Sequence, residues 1–138
     1  MVTRQKEESQ GLVEFALILM VLILVVFGVL DLGRAFHSLI TITNASREGA
    51  RYLTKHPVDK SLGFAGTKNA AINEADGAII TLTPDQVQVT LCLDEDAITG
   101  CDSGTPVRVE VTYSFEFMMG FFSQAAVPLT QATEMIVP

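Results

Sequence analysis

From Phe15 to Leu30 the chain reads FALILMVLILVVFGVL, sixteen residues without a charge, thirteen of them Leu, Ile, Val or Phe. At about −0.3 to −0.6 kcal/mol each, those thirteen favour a bilayer over water by roughly 4–8 kcal/mol. A freely soluble globular protein has no use for such a segment. It must lie in lipid or be covered by other apolar helices. The chain has 138 residues, room for one small domain beyond this run.

A cleaved signal peptide would need a small-residue cleavage site soon after the apolar core. Here the run passes directly into Asp31-Leu32-Gly33-Arg34-Ala35-Phe36, with neither such a site nor a turn. Leu32, Phe36, Leu39, Ile42, Ser46, Gly49 and Leu53 then recur at helical spacing. This face is apolar at its start and small toward its end. Asp31/Arg34 and Glu48/Arg51 are opposite-charge pairs at i, i+3. Pro57 is the first firm stop. The spacing predicts one helix from about Glu8 to Lys55, roughly 70 Å long.

Beyond Pro57 the texture changes. Residues 60–65 read as a connector and Gly66 to Ala78, rich in Ala, Asn and Glu, as a short second helix. Gln86 to Cys92 and Val107 to Phe115 alternate polar and apolar residues, as half-buried strands do. Gly100 and Asp102-Ser103-Gly104-Thr105-Pro106 supply turns between them. A third strand is expected at Leu129 to Val137. Three antiparallel strands packed on a helix make a viable core, which a lone hairpin would not. The expected class is therefore α+β: a long N-terminal hydrophobic helix carrying a small antiparallel sheet and a short second helix. Its expected divisions are a polar segment at 1–10, a hydrophobic helix for lipid or a helical bundle at 11–34, an amphipathic continuation at 35–56 and a small α+β domain at 57–138.

Charge is segregated as sharply as hydropathy. Residues 1–56 carry six bases and five acids, while residues 57–138 carry three bases and eleven acids. The acidic part repels phosphate backbones, and a chain with no Trp and two Tyr is poorly equipped to stack bases. Nucleic acid is not an expected partner. No Gly-rich phosphate loop or nucleophile–base motif is present, neither His37 nor His56 sits in a triad pattern, and no catalytic residue, cofactor or metal is assigned.

Cys92 and Cys101 lie nine positions apart in a Gly/Asp-rich stretch. The spacing suits a disulfide across a hairpin-like excursion, worth about 2.5–3 kcal/mol on the chain-entropy model. Two isolated thiols would give the same pattern. No His or third Cys completes a zinc set. Asp94-Glu95-Asp96, with Asp102, lacks the EF-hand spacing for Ca²⁺ and reads as a solvated turn. Basic residues flank the apolar run on both sides, so positive charge alone does not orient it. A disulfide does, by sending the strands to the oxidising side and leaving the N-terminus in the cytoplasm.

Three further features are ambiguous or bland. Asn44-Ala45-Ser46 matches a glycosylation sequon within a predicted helix. Gly28 and Gly33 do not form a GxxxG pair, whereas Ala45/Gly49 and Ser46/Ala50 are small pairs suited to seating the strands. Phe117-Met118-Met119-Gly120-Phe121-Phe122 is either filler beneath the sheet or an exposed patch for a partner or lipid.

Three segments together resemble the N-terminal region of TadE-like proteins, pilin-like components of Tad-type pili. They are Gln10-Gly11-Leu12-Val13-Glu14-Phe15-Ala16-Leu17 with the apolar run, Phe27-Gly28-Val29-Leu30-Asp31-Leu32-Gly33-Arg34-Ala35-Phe36, and Asn44-Ala45-Ser46-Arg47-Glu48-Gly49-Ala50-Arg51-Tyr52. The paired cysteines, the Val-x-Val-x-Val-x-Tyr strand and the last strand follow in the same order. The resemblance implies a type IV pilin-like subunit without enzymatic activity. Its helix first anchors it in the inner membrane, then packs against copies of itself and other pilin-like subunits in a surface filament. Phe15, Leu19, Leu22, Val26, Phe27 and Leu30 are the residues that would do so. Partners implied are membrane lipid before assembly, the pilus assembly machinery and a prepilin peptidase. The peptidase cut, counted from Glu14 as fifth mature residue, falls between Ser9 and Gln10, where Ser9 replaces the usual Gly.

By that resemblance Glu14 pairs with a neighbouring subunit's N-terminal amine and sets axial register. From the residues alone, Glu14 is a carboxylate near the start of a helix, favoured there by the dipole and able to reach headgroups. Two alternatives stand beside the major-subunit reading: a membrane-retained minor pseudopilin or assembly factor, and an anchored binding or sensor protein.

Overall fold

The computed structural model describes residues 2–78, 80–92, 103–118 and 126–138, without the side chains of residues 2–9, 58, 60, 61 and 90–92. Helix α1 runs from Val2–Lys55 without interruption. A 3-10 segment, Pro57–Leu62, turns the chain back, and α2 follows at Ala65–Ala75. The strands are β1 (Val87–Cys92), β2 (Pro106–Phe115) and β3 (Val127–Ile136). They form one antiparallel sheet in the order β1-β2-β3. This is the α+β, pilin-like layout expected from the sequence, with α2 ending earlier than Ala78.

Period-two patterning decides which face of the sheet meets the helices. Val107, Val109, Val111 and Phe115 of β2 are buried, and Val87 joins them from β1. The register sets Val109 opposite Val89 and Thr133, and Val111 opposite Val87 and Gln131. One irregularity, between Val89 and Leu91, interrupts the β1–β2 ladder. Across from this face lie Ile42, Ala45, Ala50 and Leu53 of α1 and Ala71 and Ala75 of α2, all buried.

Small residues on α1 let three elements meet closely. A Cβ built on Gly49 would lie 3.2 Å from Val109 Cγ1 and 3.3 Å from Ala71 Cβ. Gly49 is therefore the contact point of α1, α2 and β2. The hydroxyl of Ser46 donates to the Thr43 carbonyl at 2.9 Å and lies 2.8 Å from Thr133 Oγ1, tying β3 to α1. Both small pairs, Ala45/Gly49 and Ser46/Ala50, thus seat the sheet and α2 on the long helix.

The periodicity placed Leu32 and Phe36 on the same face as Ile42 and Leu53, and the structure corrects this. Leu32 is 71% exposed and Phe36 65%. Six steps averaging 3.5 residues fall short of the ~3.6-residue turn, so the stripe drifts by about 60° over its length. The residues that face the domain here are Asp31, Ser38 and Thr41, all buried.

Asp59 organises the chain reversal. Its Oδ1 accepts the Gly66 N–H at 3.1 Å; its Oδ2 accepts the Thr67 N–H at 2.7 Å and the Thr67 hydroxyl at 2.6 Å. A carboxylate on the first free N–H groups of α2 does the work of an N-cap from several residues upstream. The immediate cap residue, Phe64, provides no side-chain bond and has φ 61°. That left-handed conformation is costly for an aromatic residue. It is held by the Phe64 N–H bond to the Asp59 carbonyl at 2.9 Å and by packing of Phe64 against Leu53, Val107 and Val137.

Candidate functional site

Among the described residues, α1 is exposed at every position from Gln10 to Leu30. The most apolar stretch of the helix is wholly unburied, and Gln10–Lys55 is long and apolar enough to cross a membrane. Phe15, Leu19, Leu22, Val26, Phe27 and Leu30 are all exposed. Phe15, Leu19, Leu22, Val26 and Leu30 are separated by four, three, four and four residues, so they share one stripe. At ~100° per residue that stripe points roughly opposite to the one meeting the sheet. Glu14 is exposed beside it, about one residue's rotation away. Gln10 is exposed within α1, and Ser9 lies in the same helix with its side chain outside the described residues.

Among the described residues, the first buried position of α1 falls at the end of the apolar run. Asp31 is only 5% exposed. Its carboxylate accepts Arg34 Nη1 at 3.1 Å and the backbone N–H of Met118 at 3.0 and 3.1 Å. The Arg34 guanidinium also lies over the Phe115 ring, 5.4 Å from its centroid, and Phe115 meets Phe117 edge-to-face at 5.3 Å. Asp31, Arg34, Phe115, Phe117 and Met118 therefore form one joint between the helix and the end of the sheet. From the sequence, Asp31 and Arg34 read as a local opposite-charge pair at i, i+3. The pair exists, but its main function in the fold is to receive a segment 87 positions away. The signal available in sequence was the apolar Phe117–Met118 stretch, which marks a special place without naming its partner.

That stretch is exposed where it is described. Phe117 is 42% exposed and Met118 60%. Residues 119–122 of the same motif lie outside the described residues, as do Cys101 and the acidic group Asp94-Glu95-Asp96 with Asp102. Cys92 ends β1 opposite Val107, and its side chain is likewise not described. The Cys92–Cys101 pairing accordingly falls outside the described residues. In the sequon, Asn44 is exposed but Ser46 is buried against Thr133 within a continuous helix.

A groove of about 510 Å³ separates α1 from α2, lined by Glu48, Tyr52, Gly66, Asn69, Ala70, Asn73 and Glu74. Glu48 is held by Arg51 at 3.3 Å, and Tyr52 stacks on His56 at 4.3 Å. The lining offers two carboxylates, two amides and the Tyr52 hydroxyl. Among the described residues no three His, Cys, Asp or Glu side chains are grouped to hold a metal.

Residues 10–51 match the family model described as TadE-like protein, the family the sequence resembles. The matched segment covers the apolar run, Glu14, Asp31 and the small residues that seat the sheet. Comparison with curated proteins and with solved structures found no significant match. The family match, joined to an uncovered apolar helix, suggests a membrane-anchored component associated with the Tad pilus. The family is a structural, pilus-associated one and is not known for enzymatic activity.

Proposed function

We propose that this chain is a non-enzymatic, TadE-like pilin subunit that assembles through its N-terminal helix into a bacterial surface filament. One observation carries the reading: among the described residues, burial on α1 begins at Asp31, and the apolar residues from Leu12 to Leu30 are all exposed. A subunit of this shape has two places for that surface. In the inner membrane it meets lipid, with the N-terminus in the cytoplasm and the sheet outside. In the filament it meets the helices of its neighbours, and Phe15, Leu19, Leu22, Val26, Phe27 and Leu30 form the core. Burying even ten such side chains from water stabilises a subunit by about 1.5–3 kcal/mol each. Lipid already covers them, so leaving the membrane takes assembly machinery.

In this scheme a prepilin peptidase cuts between Ser9 and Gln10, and Glu14 pairs with the new amine of a neighbour to fix register. The Cys92–Cys101 disulfide pins the acidic outer domain. Within the same class, a minor pseudopilin or assembly factor would remain in the membrane.

Substitution of Glu14 tests the mechanism. Glu14→Ala should leave membrane insertion intact while filaments sheared from the cell surface become sparse or irregular. Normal filaments from the Glu14→Ala strain would contradict the register role.

A further inference from the structure

The uncharged run is by itself shorter than a bilayer is thick. Phe15–Leu30 spans about 24 Å as a helix, against a hydrocarbon core of about 30 Å. The missing length must come from one end. At the N-terminal end, extension over Leu12 and Val13 draws the exposed Glu14 carboxylate below the headgroups, to which it must then reach back. At the other end the obstacle has been removed. Asp31 is covered by the chain's own domain, and its carboxylate is engaged by Arg34 and the Met118 N–H. Arg34 is in turn held by Asp31 and the Phe115 ring. Past them, Leu32 and Phe36 face outward. Carrying the span to Phe36 lengthens it to about 33 Å, and exposed His37 is the next residue.

The same joint fixes the height of the sheet. Because Met118 is bonded to Asp31, the end of the sheet where β2 finishes and β3 begins lies level with the extended span. Phe117, Met118 and Val127 are exposed there, Val127 being paired with Phe115 in the β2–β3 register. Exposed Glu116 can turn to the headgroups from this rim.

We propose that before assembly the bilayer surface lies past Asp31, near His37, and that Phe117, Met118 and Val127 enter the lipid interface beside Leu32 and Phe36. The occupant of this patch is lipid, because the length deficit of the span and the Asp31–Met118 bond together put the patch at interface depth. The inference rests on the membrane-anchored reading of α1.

The native chain has no Trp, so single-Trp variants of the full-length protein report depth. Met118→Trp, Val25→Trp and Leu62→Trp would each be reconstituted in phosphatidylcholine vesicles carrying brominated acyl chains. Met118 bonds Asp31 through its backbone, so the Trp leaves the joint in place. Leu62 is exposed beyond the far end of α1 and is the aqueous reference. Expected are loss of M118W emission with bromines near the headgroups, loss of V25W emission with deep bromines, and unchanged L62W emission. Quenching of V25W with M118W left as wet as L62W would overturn the interface proposal alone. A blue-shifted, unquenched M118W that depends on protein density would overturn it in favour of contact with a second copy. An unquenched V25W would remove the membrane anchor and this proposal with it.

Discussion

The Met118 N–H donates to both carboxylate oxygens of Asp31, at 3.0 and 3.1 Å, and so joins the end of the sheet to the helix where the apolar run stops. Asp31→Ala removes this charged acceptor and frees Arg34. Hydrogen bonds to charged groups contribute about 1.5–3 kcal/mol, so the Met118 amide should exchange roughly 10- to 100-fold faster. Amides in the centre of β2 should change little. Hydrogen exchange on the detergent-solubilised chain reads both. Unchanged exchange at Met118 would mean that the joint is held by other contacts.

Asp59 is the corresponding device at the other end of the domain. Asp59→Ala leaves the Gly66 and Thr67 N–H groups and the Thr67 hydroxyl without their acceptor. The expected loss is about 2–3 kcal/mol in chemical denaturation of the domain. Asp59→Asn should recover only part of it, since an amide has one accepting oxygen for the three donors the carboxylate serves. Full recovery would show that charge and the second oxygen contribute nothing.

Gly49 gives a packing test. Gly49→Ala gains helix propensity of roughly 1 kcal/mol but crowds Val109 and Ala71, so its net effect should stay within about 1 kcal/mol. Gly49→Leu has no space and should cost more than about 3 kcal/mol. Val109→Ala opens room beside the new methyl. In that background Gly49→Ala should therefore be more favourable than in the native chain, with a coupling of order 1 kcal/mol. Additive effects in a denaturation cycle would contradict the close approach of α1, α2 and β2.

The cysteines give a covalent test. If Cys92 and Cys101 are joined, replacing both by Ser should cost about 2.5–3 kcal/mol. The native chain should resist alkylation until reduced, while two thiols that label immediately would exclude the bond.

Much of this architecture was legible before the structure. The apolar run locates the long helix and Pro57 its end, although α1 begins at Val2 and not near Glu8; the alternation in Val107 to Phe115 identifies a half-buried strand, because period-two patterning follows directly from strand geometry. The small residues Ala45, Ser46, Gly49 and Ala50 marked the face that seats the sheet. What escaped were relationships that depend on distant partners. Nothing local to Asp31 announces Met118, and nothing in Asp59 identifies it as the cap of a helix that starts six residues later. Leu32 and Phe36 were set on the wrong face by a real pattern, because a small mismatch with the helical turn accumulates over six steps. Glu14 is legible as a residue in an unusual place, but its role belongs to an assembled state and not to one chain.

The central claim is that this chain is itself a filament subunit. Its most direct test is the intact, unreduced mass of protein sheared from the cell surface, compared with protein from the membrane fraction. The account predicts recovery in the sheared filaments, with Met1–Ser9 removed and the mass lower by two hydrogens from the Cys92–Cys101 bond. Recovery only from membranes, at full length, would contradict it.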